Sequence, residues 1–348
     1  MTYVDYKSYE KGGIGSELMN FFLRENGIPL NDGKFGPRTL HDFLDHCPER
    51  HENQHPYIGF TVRIFCQRLI NEALLYSVGF DATQESPYNE QFFSYFFEEE
   101  SAEYGIYDFI ALSFPEIAKH FKPSVIKLIV TRSSESPVIT GTSFLLPNNL
   151  LVTAAHCLPK GANICIEDWN PQNHPIKGIW MFPRESSNPF VPIRGLIDIA
   201  VIEFESDPFP ESPKFKLWAA EILDQGLIVG FPNITGFDSI QIAVLGQIVN
   251  EDKSHIRAQP MVLVDAKIKG GNSGGPIINR EGNVIGVITN AESGGEIELD
   301  NLGYAIATPA QTLLDLVNAI HPSEERFIPD LYKINFQQNS DNSILILN

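Results

Sequence analysis

From Pro123 onward the chain is cut into short β-branched runs by glycine, proline and asparagine, and this limits its fold more than any other feature. Residues 124–131, 137–146, 150–154, 197–205, 226–230, 239–249, 261–265, 276–279 and 283–289 each have the length and composition of a strand. Strands this short, separated by turn residues, pair antiparallel and close into a sandwich or barrel. Parallel βαβ units would need a crossover helix between successive strands. One helix is predicted after them. Thr308 is its expected cap, Pro309 lies in its first turn, and Leu313, Leu316, Val317 and Ile320 form its apolar stripe. Residues 321–348 are polar until Ile344-Leu345-Ile346-Leu347, which is expected to add an edge strand. There is no internal repeat at solenoid or propeller period.

Residues 1–115 have a different texture. Phe60, Ile64, Cys66, Leu69, Ala73 and Leu74 recur at helical intervals, and Phe92, Phe93, Tyr95, Phe96 and Phe97 form a second apolar cluster. Glu98-Glu99-Glu100 is expected to be a solvated face. The 348 residues therefore divide into a mostly α-helical domain over 1–115, an all-β domain over 116–320 and a tail over 321–348, an α+β multidomain chain. The net charge of −19 is shared, with 18 acids and 8 bases in residues 1–115 and 26 acids and 17 bases after them. So acidic a surface repels phosphate backbones and anionic lipid, so neither a nucleic acid nor a membrane is an expected partner. No apolar run reaches the roughly 18–20 residues of a membrane helix. Met1–Lys7 lacks the basic-then-apolar order of a secretory signal, and Cys47, Cys66, Cys157 and Cys165 are too few for a disulfide scaffold. The expectation is a cytoplasmic protein, with export by a route lacking a classical signal peptide as the alternative.

Three stretches in the β-rich part carry chemistry: Thr153-Ala154-Ala155-His156-Cys157, Ile197-Asp198-Ile199-Ala200-Val201 and Gly270-Gly271-Asn272-Ser273-Gly274-Gly275-Pro276. A serine hydroxyl is a weak nucleophile at neutral pH. It needs a base within hydrogen-bond reach, and that base needs a carboxylate to fix its tautomer. Glycines around the serine let main-chain amides converge where an oxyanion would form. In this order and context the three stretches resemble the trypsin-like (chymotrypsin-fold) serine proteases, most closely the bacterial HtrA-like branch. The similarity runs from about Val125 to Ile320 and includes Gly226–Gly230 and Gly303-Tyr304-Ala305-Ile306-Ala307. It implies a double-barrel fold, with His156 as general base, Asp198 as its orienting partner and Ser273 as nucleophile. The amides of Gly271 and Ser273 would form the oxyanion hole. No metal or organic cofactor is implied.

Departures from the digestive-enzyme pattern carry information. Asn272 precedes the nucleophile where activated trypsins carry an Asp that pairs with a newly cut N-terminus, so no trypsin-type activating cleavage is expected near residue 124. The strand Thr140-Gly141-Thr142-Ser143-Phe144 lacks the cysteine that secreted trypsins bridge to the one after the catalytic histidine. Cys157 is therefore expected as a buried thiol unless Cys165 reaches it. By the same resemblance Lys267, Ile268, Thr289, Asn290 and Ala291 line the substrate pocket. Lys267 either points in and favours an acidic residue or escapes to solvent and leaves a small apolar pocket around Ile268, the favoured alternative. HtrA-like proteins usually carry a peptide-tail-binding module after the protease domain. The chain shows none, which favours regulated cleavage of a few partner proteins over quality control.

Rival patterns are weaker. Gly271-Asn272-Ser273-Gly274-Gly275 also fits the α/β-hydrolase elbow, which needs a following helix and a later histidine. His51-Glu52-Asn53-Gln54-His55 matches a zinc-protease pattern, but Pro48 and Pro56 bracket it and no apolar face supports a helix; an exposed loop is expected. Asp32-Gly33-Lys34-Phe35-Gly36-Pro37-Arg38-Thr39 resembles the turn-to-helix signature of peptidoglycan-binding-like modules, with Pro37 in the first turn and Leu40 and Phe43 buried. A helical interaction or regulatory domain that binds a protein partner is the expected role of 1–115. The functional expectation is a serine endopeptidase acting on protein or peptide substrates. The alternative is a catalytically silent or effector-gated protease fold that works as a binding module.

Overall fold

The structure is a computed structural model. It describes residues 13–30, 34–46, 58–131, 138–182, 197–234, 236–237, 240–253, 260–289, 303–321, 332–333, 336–339 and 344–347. They fall into two compact units, Met1–Ile117 and Ala118–Asn348.

The first unit is built from α1 (Ile14–Phe21), β1 (Ile28–Pro29), β2 (Phe35–Gly36), β3 (Arg38–Thr39), α2 (Leu40–His46), α3 (Ile58–Asn71), β4 (Tyr76–Phe80), β5 (Glu90–Phe93), α4 (Glu99–Tyr104) and α5 (Ile106–Leu112), with α6 (Phe114–His120) running across the division. Its core joins Leu18, Phe21, Phe22, Phe43, Cys66, Leu69 and Phe92. The buried stripe of α3 is Val62, Cys66 and Leu69; Phe60 and Ile64, expected on that stripe, are exposed. The aromatic run after residue 90 is not helical at its start. Glu90–Phe93 is the middle strand of a β3-β5-β4 sheet, and Phe92 packs edge-on against Phe22 at 5.1 Å. Pairing on both sides overrides a local pattern that alternates poorly. Pro37 does not open α2. Thr39 caps it, donating its amide to Asp42 Oδ2 at 2.7 Å while its hydroxyl accepts from the Asp42 amide at 3.1 Å. Asp108, in α5, closes the start of α1 by accepting from the amides of Gly13 and Gly15 and from the Ser16 hydroxyl.

The second unit is antiparallel β. Its strands are β6 (Val125–Thr131), β7 (Ile139–Leu146), β8 (Leu150–Thr153), β9 (Asn163–Ile166), β10 (Ile176–Met181), β11 (Ala200–Phe204), β12 (Gln225–Gly230), β13 (Ile242–Lys253), β14 (Pro260–Asp265), β15 (Pro276–Ile278), β16 (Val284–Ile288), β17 (Tyr304–Pro309), β18 (Tyr332–Lys333), β19 (Phe336–Asn339) and β20 (Ile344–Leu347). A nine-stranded sheet runs in the order β18-β10-β11-β8-β7-β6-β9-β20-β19. One core of Leu128, Leu151, Ile164, Ile179, Ile202 and Leu345 is drawn from six of these strands, so the sheet wraps around it like a barrel. The other β unit is a closed six-stranded barrel, β12-β13-β14-β17-β16-β15, around Ile228, Ile248, Val264, Ile277 and Ile285. This is the trypsin-like double-barrel plan.

Two expectations at the C-terminal end need correction. The last helix, α7 (Ala310–Ile320), starts after Pro309 with no side-chain cap bond, and Thr308 lies inside β17. Leu345-bearing β20 is not an edge strand, since it pairs with β9 on one side and β19 on the other. The segment set apart as a tail thus supplies core, because Leu345 is fully buried. Leu345→Ala should therefore lower unfolding free energy by about 2–5 kcal/mol in a denaturant titration. A loose tail would show a change within about 0.5 kcal/mol.

Candidate active site

The site begins with the register of β8 against β11. Ala200 pairs with Thr153, so the residues just before β11 lie beside those just after β8. Asp198 precedes β11 by two residues, and His156 sits in a 3-10 turn, Ala155–Cys157, that follows β8. Both Asp198 oxygens are used: Oδ1 accepts the His156 amide at 2.8 Å, and Oδ2 meets the imidazole Nδ1 at 2.6 Å. This two-point contact fixes ring and main chain together, holds the proton on Nδ1 and leaves Nε2 as the basic nitrogen. The Asp198 side chain is 14% exposed and that of His156 38%. Burial pushes the His156 pKa down, but the Asp198 hydrogen bond, contact with the Cys157 thiol and the Asp198 charge together raise it from 6.5 to about 10.

Ser273 lies 5% exposed in the loop between β14 and β15. That loop is shaped by two glycines at positive φ, Gly271 at +102° and Gly274 at +83°. A Cβ on Gly274 would stand 2.1 Å from the Thr142 carbonyl oxygen, and one on Gly271 2.3 Å from that of Phe231. No side chain fits at either place. The loop is tied to β7 by main chain: the Thr142 amide donates to Ser273 O at 2.9 Å, and the Thr142 hydroxyl donates to Gly271 O at 2.7 Å. The Cys157 thiol, next to His156, lies 3.5 Å from Ser273 O. Ser273 is thus brought beside the His156 turn through its backbone. Among the described residues no hydrogen bond joins its hydroxyl to His156, and the amides of Gly271 and Ser273 donate none.

Around this centre, the Asn272 side chain is 1% exposed, and its amide oxygen and nitrogen both lack a partner. Cys157 and Cys165 are free thiols, with Cys157 buried. Of the expected pocket residues, Lys267 is exposed, Ile268 packs against the closed barrel's core and Thr289 is buried, its amide bonded to Ile306 O. Asn290 and Ala291 lie outside the described residues, as does the His51–His55 pattern. Among the described residues no group of His, Cys, Asp and Glu is placed to hold a metal. Sequence reasoning missed Thr142 and Thr153, whose hydroxyl donates to Thr142 O at 2.7 Å. No local sequence pattern signals either residue, because their partners lie far away along the chain or across the strand pair.

Residues 141–287 match the family model described as the trypsin-like peptidase domain. That match agrees with the double-barrel plan: this part of the chain is similar to trypsin-like peptidase domains. Among curated proteins, the chain is similar to Do-like and DegP-like proteases. It is 27% identical over 175 residues to "Protease Do-like 2, chloroplastic" of Arabidopsis thaliana, covering 49% of this chain and 26% of that one. It is 28% identical over 174 residues to "Probable periplasmic serine endoprotease DegP-like" of Chlamydia pneumoniae, covering 48% and 32%. The chain thus spans between a quarter and a third of the length of these relatives. A solved HtrA-type protease, AlgW with a tripeptide, is similar with a TM-score of 0.42 and 22% identity, covering 60% of this chain and 64% of that one. The relatives are named as periplasmic or chloroplastic, which lends no support to the cytoplasmic expectation. No helix among the described residues is long and apolar enough to cross a membrane.

Because His156 titrates higher in the fold than its ordinary value of 6.5, its contribution to stability is complete below about 6.5 and is lost as pH rises through about 10. A histidine NMR titration should place the His156 midpoint near 10, and Asp198→Asn should bring it down and remove that part of the alkaline loss of stability.

Proposed function

We propose that the chain is a serine endopeptidase that cleaves protein substrates through His156, Asp198 and Ser273. The observation that carries this reading is the two-point grip of Asp198 on His156 beside a nucleophile loop whose Gly271 and Ser273 amides are unengaged. In this mechanism Ser273 Oγ attacks the scissile carbonyl carbon as its proton passes to His156 Nε2. The carbonyl oxygen becomes an oxyanion received by the amides of Gly271 and Ser273. Collapse breaks the C–N bond, and His156 gives its proton to the leaving amine. Water, deprotonated by the same imidazole, then releases the acyl group and restores Ser273. Regulated cleavage of specific partner proteins, with residues 1–115 binding a regulator, completes the proposal. Exposed Lys267 and half-buried Ile268 support a small apolar pocket over an acid-binding one.

A second reading, an effector-gated site that is silent at rest, draws on the missing Ser273–His156 hydrogen bond and on a pKa that keeps His156 charged at neutral pH. Hydrogen bonds of this kind are often long before substrate binds, which keeps the first reading ahead.

Three measurements decide these points. A fluorophosphonate probe should label the wild type and not Ser273→Ala, and peptide turnover should fall about 10⁶-fold in that variant; labelling of neither protein would support the gated fold. The activity must follow neutral His156, so kcat/KM should rise about tenfold per pH unit from neutrality and level off near 10. A peptide library should show small apolar residues before the cleaved bond; a strong Glu or Asp preference would assign Lys267 to the pocket instead.

A further inference from the structure

The Gly271 amide belongs to the Gly270–Gly271 peptide, which is the central peptide of a tight turn. The Asn272 amide closes that turn on Lys269 O at 3.2 Å, and Gly271 at φ +102° sits in its third position, as in a type II turn. Types I and II differ by a flip of this central peptide. With glycine at both central positions, little in the residues themselves chooses between them. A flip would carry the Gly271 N–H to the other face, away from any oxyanion.

One contact reads the orientation of that peptide. The Asn233 amide donates to Gly270 O at 2.9 Å, and because the peptide is trans, holding its oxygen there aims the Gly271 N–H the opposite way. Asn233 is in turn tied to β7. Its side-chain Oδ1 lies 2.8 Å from the Thr140 hydroxyl, which is also 3.0 Å from Phe231 O. A hydroxyl has one hydrogen, so turning the Asn233 amide over, with Nδ2 donating to Thr140 Oγ1 and the hydroxyl donating to Phe231 O, satisfies all three groups. Packing does not do this work for Asn233, which is exposed and borders a cavity of about 210 Å³ with Ile234 and Phe237.

We propose that Thr140 and Asn233 are positioning residues that hold the Gly270–Gly271 peptide in the orientation that presents the Gly271 amide to the oxyanion. The proposal rests on the endopeptidase reading.

The test compares wild type with Thr140→Val, Thr140→Ser and Asn233→Ala on one peptide substrate and one peptide boronate inhibitor. Thr140→Val should lower kcat about 10- to 100-fold, within the range for an oxyanion donor lost part of the time, and weaken boronate binding in parallel. KM and the pH limb set by His156 should stay in place, and Thr140→Ser should restore the rate. Asn233→Ala, on an exposed side chain, should act in the same direction and decides the matter if Thr140→Val does not fold. Wild-type kcat in both Thr140→Val and Asn233→Ala, or a loss confined to KM, would overturn the positioning role while leaving the peptidase reading intact. A wild type that neither cleaves peptide nor reacts with a fluorophosphonate would remove the peptidase reading, and this proposal with it.

Discussion

The main-chain clamp that β7 places on the nucleophile loop is the contact on which the rest of the site depends. Thr142 holds two carbonyls on either side of Asn272: that of Ser273 through its amide and that of Gly271 through its hydroxyl. The same hydroxyl accepts the Phe231 amide at 3.0 Å. Thr142 is itself fully buried, and its carbonyl is occupied by Thr153. One strand of the nine-stranded sheet therefore fixes a loop that belongs to the closed barrel, and it does so with groups that cannot turn to water for replacement partners. Breaking any one of them would leave a buried donor or acceptor unsatisfied, at about 1–3 kcal/mol each. That cost holds the loop in one shape before substrate arrives.

The histidine side is built differently. There a pairing register does the positioning, because Ala200 opposite Thr153 leaves Asp198 and His156 no choice but to meet. The carboxylate then grips both the ring and the backbone of the same residue. A register is set by the alternation of buried residues along β8 and β11, so the His–Asp pair is as stable as the sheet. The nucleophile loop has no such ladder and relies on glycine conformations and individual hydrogen bonds. Rigidity is thus uneven across the site: His156 and Asp198 flank the ends of two paired strands, while Gly271 lies in a turn closed by single hydrogen bonds.

This division also explains what was legible in the sequence. Strand runs such as 226–230 and 261–265 announced themselves because both faces or one whole face are buried, and the His, Asp and Ser stretches could be placed at strand ends from their neighbours alone. Strands β9, β10 and β19 escaped notice. They carry Asn163, Lys177 and Gln337 among their apolar residues, and their burial comes from partners distant in sequence. The cluster after residue 90 carries no strand alternation of its own, yet Phe92 is held in a strand by pairing to Arg38 and Ser77. The threonines of β7 gave no motif. Their importance lies in hydrogen bonds that span 89 to 129 residues along the chain, and no local pattern reports such contacts.

Asn272 shows what replaces charge in controlling this loop. A carboxylate buried at 1% exposure without a counter-ion would cost several kcal/mol or would have to bind a proton, so an Asp here would demand a cation for the loop to adopt this shape. The amide is neutral, and leaving both of its polar atoms unpartnered costs about 1–3 kcal/mol for each group, which the surrounding clamp can offset. Gly230 makes room for it: a Cβ there would stand 2.6 Å from the Asn272 side-chain oxygen. The loop therefore takes its present form around a neutral side chain, with no buried charge that must be paired. A loop of this kind is closed by contacts rather than by a charge, and the contacts within reach of its turn come from β7 and from the segment that runs Phe231-Pro232-Asn233.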